Sequence, residues 1–255
     1  MATVISIANQ KGGIGKTTTA TSLATILSDK GFKTLLIDSD LQCNSTDTYR
    51  ASFEGVATLY DILLEENPED INTVIQHTEM GDIIASDPLL READSKLSTR
   101  GIAGYKVLKK ALSSLKGYDF VIIDTAPAIN MVLRNVLTAS DYVLIPITAD
   151  RYGIQGLFEL NVSIIDAQEI NEDLKIAGIL LVRYNNRTIL AREVRETLIE
   201  EAKNMKTTLF QTTIRECNKV KEAQTIQTTL LKYNASCTAS KDYIAFVDEL
   251  LEEIH

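Results

Sequence analysis

One segment constrains the fold more than any other: a glycine-rich stretch between a short apolar run and an amphipathic pattern. The apolar run covers residues 4–8, and the glycine-rich stretch covers 9–19. From Ala20 onward, apolar residues recur every three or four positions, and Gly31 stands where that helix would end. The order strand, glycine-rich turn, helix is typical of a parallel sheet whose strands are connected by helices.

The rest of the chain continues this alternation of apolar runs and helical patterns. Further strands are predicted at residues 33–38, 82–85, 119–124, 142–147 and 176–182. Most are apolar at nearly every position, as expected for parallel strands that are buried on both faces. Because no repeat or linker interrupts the chain, we expect residues 1–255 to form a single domain. Apart from the strand at 82–85, the segment 51–101 is less regular, and we place no further elements in it.

Two later helices are indicated by their apolar stripes. The first stripe consists of Leu157, Leu160 and Ile164. The second, at the end of the chain, consists of Ile244, Val247, Leu251 and Ile254. Acidic residues occupy the other faces of this last helix. Together with the strands, these helices predict an α/β fold: a doubly wound, mainly parallel sheet with helices on both faces.

The glycine-rich stretch has the composition of a phosphate-binding loop. Glycine has no Cβ, so backbone N–H groups can crowd around a polyphosphate at the start of a helix. Lys16 would place a charge on the β- and γ-phosphates, and the Thr17 hydroxyl would be a ligand for Mg²⁺. The pattern GxxxxGK[ST] requires glycine where Gln10 stands, and Lys11 adds a second lysine. The loop is therefore a variant, and it predicts a fold of the P-loop NTPase type.

Carboxylates follow two of the predicted strands. Asp38 and Asp40 come after one strand, and Asp124 ends another. In a doubly wound sheet, ligands bind at the carboxyl ends of the strands, so these side chains are expected near the Mg²⁺ and the γ-phosphate. For any one of them alone, a helix cap is an equally simple explanation. Because these carboxylates are expected beside a phosphate loop, we favour a role in the nucleotide site over helix capping.

Composition excludes several other classes of protein. The chain carries 26 Lys and Arg against 35 Asp and Glu, for a net charge of −9, so it is not basic overall. Its three cysteines lack CxxC spacing and suggest reduced thiols rather than a disulfide framework or a zinc site. The N-terminus lacks the features of a signal peptide, and no apolar run approaches the roughly 18 residues of a membrane span. We therefore expect a cytoplasmic protein.

The motifs resemble those of the ParA/MinD family of deviant Walker-A ATPases, and within it the ParA partition branch. Residues 11–18 resemble the deviant Walker A motif, with Lys11 as its signature lysine. Residues 38–44 resemble the D-x-D-P-Q-G-N segment that follows, and 124–127 the Walker B and switch segment. The resemblance extends over nearly the whole chain. Leu41 and Cys43 replace the family's usual proline and glycine.

The resemblance implies a role for each motif residue. ATP and Mg²⁺ would be bound, and two ATP-bound copies would form a homodimer in which Lys11 reaches the nucleotide of the other subunit. The expected nucleotide-binding residues are Lys11, Gly12, Gly13, Ile14, Gly15, Lys16, Thr17 and Thr18. The expected catalytic residues are Lys11, Lys16 and Asp40, the last positioning the attacking water. The expected metal-site residues are Thr17, Asp38 and Asp124. Residues 214–217 lack the family's I-P-R-N, so the adenine contacts are not carried over.

The resemblance leaves several functions to compare. The first is a partition ATPase that binds DNA nonspecifically as an ATP dimer and moves a plasmid, chromosome origin or mobile element with a ParB-like adaptor. A MinD-like membrane-cycling switch would need a basic amphipathic C-terminal helix, whereas residues 242–255 are acidic. An iron–sulfur reductase would need paired cysteines near the dimer axis, which the isolated Cys43, Cys217 and Cys237 do not supply. A ParA-like ATPase that positions a non-DNA cargo stays open as the alternative.

A local excess of basic residues favours the DNA-binding function. Residues 175–221 contain ten Lys and Arg against five acidic residues. A charged run can equally be an ordinary solvated surface, but relatives use this region for DNA. The predicted DNA contacts are Arg187, Arg192, Arg215, Lys219 and Lys221. We expect no membrane partner, and association with the nucleoid in the ATP-bound state.

Overall fold

A single eight-stranded sheet organises the computed structural model, which describes residues 2–65 and 70–254. The strands are β1 (Thr3–Ile7), β2 (Thr34–Asp38), β3 (Gln76–Thr78), β4 (Gly81–Ile84), β5 (Phe120–Asp124), β6 (Tyr142–Ile147), β7 (Lys175–Tyr184) and β8 (Ile214–Arg215). Their order across the sheet is β3-β4-β2-β5-β1-β6-β7-β8. Strand β3 is antiparallel to β4, and the other neighbouring strands run parallel. The prediction of a mainly parallel sheet is confirmed.

All six strands predicted from the sequence are present, with ends that shift by one or two residues. The two strands that were not predicted, β3 and β8, contain three and two residues. Strand β3 lies at one edge of the sheet, and its central residue His77 is exposed. Strands this short contain too few residues to show an apolar pattern. Contacts with neighbouring strands determine where they pair.

Helices cover both faces of the sheet. They are α1 (Lys16–Asp29), α2 (Asn44–Thr48), α3 (Leu59–Leu64), α4 (Ala93–Ser98), α5 (Ile102–Tyr105), α6 (Val107–Leu112), α7 (Met131–Ala139), α8 (Arg151–Gln168), α9 (Ile189–Asn204), α10 (Asn218–Thr225), α11 (Leu230–Asn234) and α12 (Thr238–Ile254). Short 3₁₀ helices occur at Ile71–Thr73 and Pro88–Glu92. In β2, Leu36 packs into the core beneath α1 and α12, whereas Leu35 and Ile37 pack into the core on the opposite face.

Apart from β3 and β4, the less regular segment 51–101 folds into short helices on one face of the sheet. Helix α3 begins after a capping box, in which the side chains of Thr58 and Asp61 each accept a hydrogen bond from the other residue's backbone N–H. Helices α4 to α6 follow, each with four to six residues, and pack near α7. Because one turn of helix shows no periodicity, tertiary packing decides these elements.

The buried face of the C-terminal helix is shifted from the predicted stripe: Val247 is fully buried and Leu251 and Ile254 are partly buried, but Ile244 is not. Ile244 is 37% exposed, while its neighbours Tyr243 and Phe246 are buried. The Tyr243 hydroxyl lies 3.0 Å from the Thr19 hydroxyl of α1, and the two aromatic rings set the rotation of α12. In the described residues, no helix combines the length and the apolar character that a membrane crossing requires.

A close contact between β7 and α12 depends on one glycine. The rings of Phe210 and Phe246 meet edge to face, with centroids 5.0 Å apart. Gly178 of β7 lies under Phe210, and an added Cβ there would come within 2.3 Å of that ring. Gly178 also has a φ of +155°, where side chains are disfavoured. The approach of α12 to this end of the sheet therefore requires glycine at position 178.

We predict that Gly178→Ala lowers the free energy of unfolding by about 1–3 kcal/mol more than Gly117→Ala does, which is the usual effect of overpacking a core. Gly117 also has a positive φ, +83°, but its added Cβ would meet no atom within 4 Å, so it reports backbone strain alone. Urea unfolding followed by circular dichroism measures both variants. Equal losses of stability would show that Phe210 moves aside without cost.

A candidate nucleotide site at the carboxyl edge of the sheet

The glycine-rich loop connects β1 to α1 at the carboxyl edge of the sheet. Gly13 and Gly15 have φ values of +71° and +103°, and Gly15 is the residue that immediately precedes α1. Added Cβ atoms at these two positions would meet no atom within 4 Å. Backbone conformation, rather than packing within the chain, therefore requires glycine here, and the space beside the loop stays open to a ligand.

That open space is a cavity of about 660 Å³. The loop residues 12–18 form one wall, Asp40 and the segment 42–48 contribute to another, and residues 214–227 contribute to a third. The volume lies within the range of small-molecule sites. The helix dipole of α1 and the N–H groups of its first turn point into a space that could hold a polyphosphate.

Lys16 lies at the base of this cavity and is 6% exposed. Its ammonium group donates a hydrogen bond to the Lys11 carbonyl oxygen at 3.1 Å. Burial lowers the pKa of Lys16, and the nearby carboxylates Asp124 and Asp40 act in the opposite direction. A buried ammonium beside a phosphate loop is suited to bind phosphate oxygens.

Asp38 is fully buried and hydrogen-bonded within the chain. Its Oδ2 accepts hydrogen bonds from the N–H and the hydroxyl of Thr46, both at 2.8 Å, and its Oδ1 accepts one from the Asp40 N–H at 3.0 Å. Burial and the neighbouring charge of Asp124 raise the pKa of Asp38, which these donors counteract. Asp38 therefore fixes the loop that carries Asp40; its contribution to a metal site stays a prediction.

Asp124 keeps one carboxylate oxygen available. Its Oδ2 accepts a hydrogen bond from the Ser45 hydroxyl at 2.8 Å, while its Oδ1 is buried without a well-formed hydrogen bond from the described residues. Burial raises the pKa of Asp124, and the hydroxyls of Thr17 and Ser45 and the charge of Lys16 lower it. An orphaned buried oxygen beside Thr17 fits a divalent cation or its water ligands.

The site offers a cation too few ligands to bind it without phosphate. Across residues 2–65 and 70–254, no three His, Cys, Asp or Glu side chains form a metal-binding group. Mg²⁺ commonly combines one or two carboxylates with waters and substrate phosphates. The donor set here, a threonine hydroxyl and an aspartate oxygen, fits that mode of binding.

Asp40 also lines the cavity, and its charge acts on Lys16. It is 6% exposed, and its Oδ1 accepts a hydrogen bond from the Gln42 N–H at 3.0 Å. The same residue fixes the loop through its carbonyl oxygen, which accepts the Cys43 N–H at 2.8 Å. A carboxylate held at the cavity wall in this way could orient a water molecule toward a bound phosphate.

Lys11 forms an ion pair within its own subunit, with residues that follow the neighbouring strand β6. Its ammonium group donates to both carboxylate oxygens of Asp150, at 2.7 and 2.9 Å, and to the Thr148 hydroxyl at 3.1 Å. Asp150 also caps α8 by accepting the Gly153 N–H at 2.9 Å. Sequence reasoning missed this partner, and only the helix-capping pattern Asp150-x-x-Gly153 could have drawn attention to it.

The five predicted DNA contacts separate into two groups. Arg215 and Lys221 line the nucleotide cavity, and Lys219 lies on the same helix, α10, as Lys221. Arg187 precedes α9, and Arg192 lies in its first turn; both are exposed. Their role in DNA binding stays a prediction.

Ion pairs occupy part of the first group. The Arg215 guanidinium donates two hydrogen bonds to Asp242, at 2.6 and 2.9 Å, and Lys219 donates to Glu222 at 2.7 Å. These cations are already neutralised within the chain. Arg215 and Lys219 are therefore less available to a phosphate backbone than a cation without an acidic partner would be.

Comparison with known proteins agrees with this geometry. The family model for an AAA domain, AAA_31, matches residues 2–176. A chromosome partitioning protein ParA from Myxococcus xanthus is 31% identical over 98% of this chain and 88% of its own length. The chain belongs to the ParA/Soj family.

Further similarities cover the full length of this ParA/Soj-family chain. The sporulation initiation inhibitor protein Soj of Bacillus subtilis is 31% identical over 98% of both chains. Among solved structures, cobyrinic acid a,c-diamide synthase from Mycobacterium smegmatis, with a bound ATP analogue and magnesium, superposes with a TM-score of 0.83. It is 27% identical, and the match covers 100% of this chain and 96% of that one.

Proposed function

We propose that the protein is an ATP-dependent dimeric switch. Residues 1–255 would act as one ATPase domain that hydrolyses ATP, binds DNA nonspecifically as an ATP dimer and partitions a plasmid, chromosome origin or mobile element with a ParB-like adaptor. The observation that carries the proposal is the cavity that Lys16 and Asp40 line beside a loop of positive-φ glycines, with the buried carboxylate of Asp124 close to Lys16. The partition proteins among the relatives support it.

The nucleotide would bind along the loop and the first turn of α1. Backbone N–H groups of residues 12–18 and the Lys16 ammonium would hold the phosphates, as in other P-loops. Mg²⁺, when bound, would neutralise phosphate charge. Thr17 and the available oxygen of Asp124 would hold it, directly or through water, while Asp38 keeps the adjoining loop in place.

Hydrolysis needs a group that orients water toward the γ-phosphate. Asp40 is the carboxylate at the cavity wall, and one of its oxygens is fixed by the Gln42 N–H. It would position the attacking water, while Lys16 and a Lys11 from a second copy stabilise the charge that develops on the phosphate. The products are ADP and inorganic phosphate, with the water oxygen transferred to the phosphate.

We predict that Asp40→Asn binds ATP within about twofold of the parent and loses roughly 100-fold or more in turnover, the usual contribution of a positioned general base. Asparagine keeps an oxygen for the Gln42 N–H, so the loop should stay folded. Fluorescent-nucleotide titration and phosphate release, both in the presence of DNA, measure the two quantities. Asp47→Asn, another acidic residue of the cavity wall, should change neither. Turnover at the parental rate in Asp40→Asn would contradict the assignment.

A dimer in which Lys11 acts on the other subunit requires Lys11 to leave Asp150. The ion pair is about one-third exposed on both sides, so solvent weakens it and little free energy is needed to release it. An added Cβ at Gly12 would have its nearest neighbour 3.9 Å away, at Pro127, which leaves room above the loop. The Lys11–Asp150 pair would therefore oppose dimerisation until ATP offers Lys11 a stronger partner.

We predict that Asp150→Asn tightens the ATP-dependent dimer about two- to fivefold, the equivalent of a partly exposed ion pair. Asparagine can still accept the Gly153 N–H, so α8 keeps its cap. Light scattering and sedimentation with ATP, in the Asp40→Asn background, measure the dimer. Asp248→Asn removes an ion pair with Lys30 elsewhere and is the matched control. A dimer that persists in Lys11→Ala would contradict the role of Lys11.

DNA binding would depend most on the basic residues that ion pairs leave available. In the described part of the chain, neither Arg187 nor Arg192 has an acidic side chain within 4 Å, in contrast to Arg215 and Lys219. A dimer would double these charges on one assembly. This explains how a chain with a net charge of −9 could bind DNA only in its ATP-bound state.

We predict that Arg187→Glu weakens binding to all duplexes alike and leaves ATP-dependent dimerisation intact. The slope of log K against log salt is negative, and each DNA phosphate that the variant no longer neutralises should make it less negative by about 0.9. Anisotropy titrations on two unrelated duplexes, with ATP, ADP and no nucleotide, measure this; Lys116→Glu, an exposed cation outside the basic segment, is the control. Equal binding in all three nucleotide states, or none with ATP, would favour the non-DNA cargo.

A further inference from the structure

The backbone of the glycine segment in the phosphate loop, residues 12–15, has few contacts that hold it. The side chain of Ile14 is buried, but added Cβ atoms at Gly13 and Gly15 would meet no atom within 4 Å. Across residues 2–65 and 70–254, the N–H groups of residues 12–15 donate no hydrogen bond within the chain. These donors are available to phosphate, but glycines without such bonds need an outside contact to fix their conformation.

Arg183 at the carboxyl end of β7 supplies such a contact. Its guanidinium donates a hydrogen bond to the Gly13 carbonyl oxygen at 3.3 Å. In the described part of the chain, no other side chain forms a hydrogen bond with the backbone of residues 12–15. A planar trans peptide points its carbonyl and its N–H in opposite directions, so the same hydrogen bond fixes the direction of the Ile14 N–H. Arg183 thereby orients one of the donors that the proposed site offers to a phosphate.

The backbone of β7 is distorted at Arg183. This residue has a φ of +52°, in the left-handed region that side chains disfavour. The pairing of β7 with β8 is irregular at the same point, because its register shifts between Val182 and Tyr184. Irregularities of this kind redirect a side chain, and strained residues concentrate at functional sites. The side chain that is redirected here lines the nucleotide cavity.

Glu216 binds the other side of the same guanidinium. Arg183 donates a hydrogen bond to Glu216 at 3.0 Å, and Glu216 immediately follows β8. A planar guanidinium makes two such hydrogen bonds in a fixed geometry, so Glu216 restricts where Arg183 can donate the second one. The contacts from Glu216 to Arg183 and from Arg183 to Gly13 therefore connect the end of β8 to the phosphate loop. Both charged side chains are about half exposed, so solvent weakens their ion pair.

We propose that Arg183 is a positioning residue that holds the phosphate loop in the conformation that binds phosphate, and that Glu216 orients Arg183 in turn. This role rests on the nucleotide binding proposed above. Arg183 acts through the peptide between Gly13 and Ile14, and it does not itself bind the phosphates. A loop that is ordered before the ligand arrives binds more tightly, because less conformational entropy is lost on binding.

We predict that Arg183→Asn weakens the affinity for a fluorescent ATP analogue and for inorganic tripolyphosphate by the same factor, about two- to tenfold, the usual effect of one hydrogen bond. Asparagine tolerates a positive φ, so β7 should keep its backbone. Glu216→Ala should weaken both affinities by a smaller factor. Lys206→Asn is the matched control, because Lys206 is an exposed cation with a φ of +54° that does not line the nucleotide cavity; it should change neither affinity.

Backbone ¹⁵N relaxation of the full-length, nucleotide-free protein tests the same contact without a ligand. In Arg183→Asn, the order parameters of the Gly13 and Ile14 amides should fall from the value of a rigid backbone, about 0.85, toward about 0.6. In Lys206→Asn they should keep their parental values. The urea midpoints of the two variants should agree, which separates an effect on the loop from a general loss of stability.

Three results would overturn the positioning role. Tighter binding in Glu216→Ala would show that Glu216 competes with phosphate for Arg183. A loss of affinity for the ATP analogue but not for tripolyphosphate in Arg183→Asn would show that Arg183 contacts the nucleoside. Unchanged order parameters would show that the loop keeps its conformation without Arg183. If the order parameters fall but the parent binds neither ligand, the proposed nucleotide site fails and the contact with the loop stands; if the parent and Arg183→Asn bind both ligands equally, only the positioning role fails.

Discussion

The register of three parallel strands is the constraint on which the site depends. In the pairing of β1, β2 and β5, Asp124 lies opposite Ile7 on one side and Asp38 on the other. Parallel pairing brings the carboxyl ends of these strands to one edge, so the glycine loop that follows Ile7 and the two carboxylates become neighbours. A change of register by one residue would move every one of these side chains to the opposite face.

This arrangement buries two like charges side by side, and the surrounding residues offset the cost. Burial raises the pKa of both Asp38 and Asp124, and a neighbouring carboxylate adds to each effect: Asp124 for Asp38, and Asp40 for Asp124. Thr46 stabilises the first carboxylate with two hydrogen bonds, and Ser45 stabilises the second with one. The short helix α2, which carries both hydroxyl residues, therefore belongs to the site as much as the glycine loop does, although nothing in its sequence resembles a phosphate motif.

Ion pairs within the chain also indicate how its proposed activities could be restrained until a ligand binds. Lys11 is satisfied within its own subunit, by Asp150 and Thr148. The most basic segment of the chain is partly neutralised in the same way, since Arg215 and Lys219 bind acidic partners. The proposed dimer thus begins from a cation that is already paired, and a bound nucleotide must compete with that pair. Such competition is a physical basis for a switch, because it makes binding to a second copy conditional.

Local patterns in the sequence determined the fold class and the centre of the site. Six apolar runs predicted six strands, and the loop with Lys16 and the aspartates at residues 38, 40 and 124 lies where those strands end. These features could be predicted because each depends on residues close together in the chain: periodicity, glycine and strand ends. The edge strands β3 and β8 are too short to show such a local pattern, so they could not be predicted.

Only the tertiary structure decided the contacts between distant segments. Lys11 meets Asp150 across 139 positions, and Arg215 at the end of β8 binds Asp242 of α12 across 27 positions. The rotation of α12 likewise follows from the contacts of Tyr243 with Thr19 and of Phe246 with Phe210, which its apolar spacing does not reveal. Such contacts leave no periodic signal in the sequence, because the packing of whole elements against the sheet, rather than local propensity, brings their atoms together.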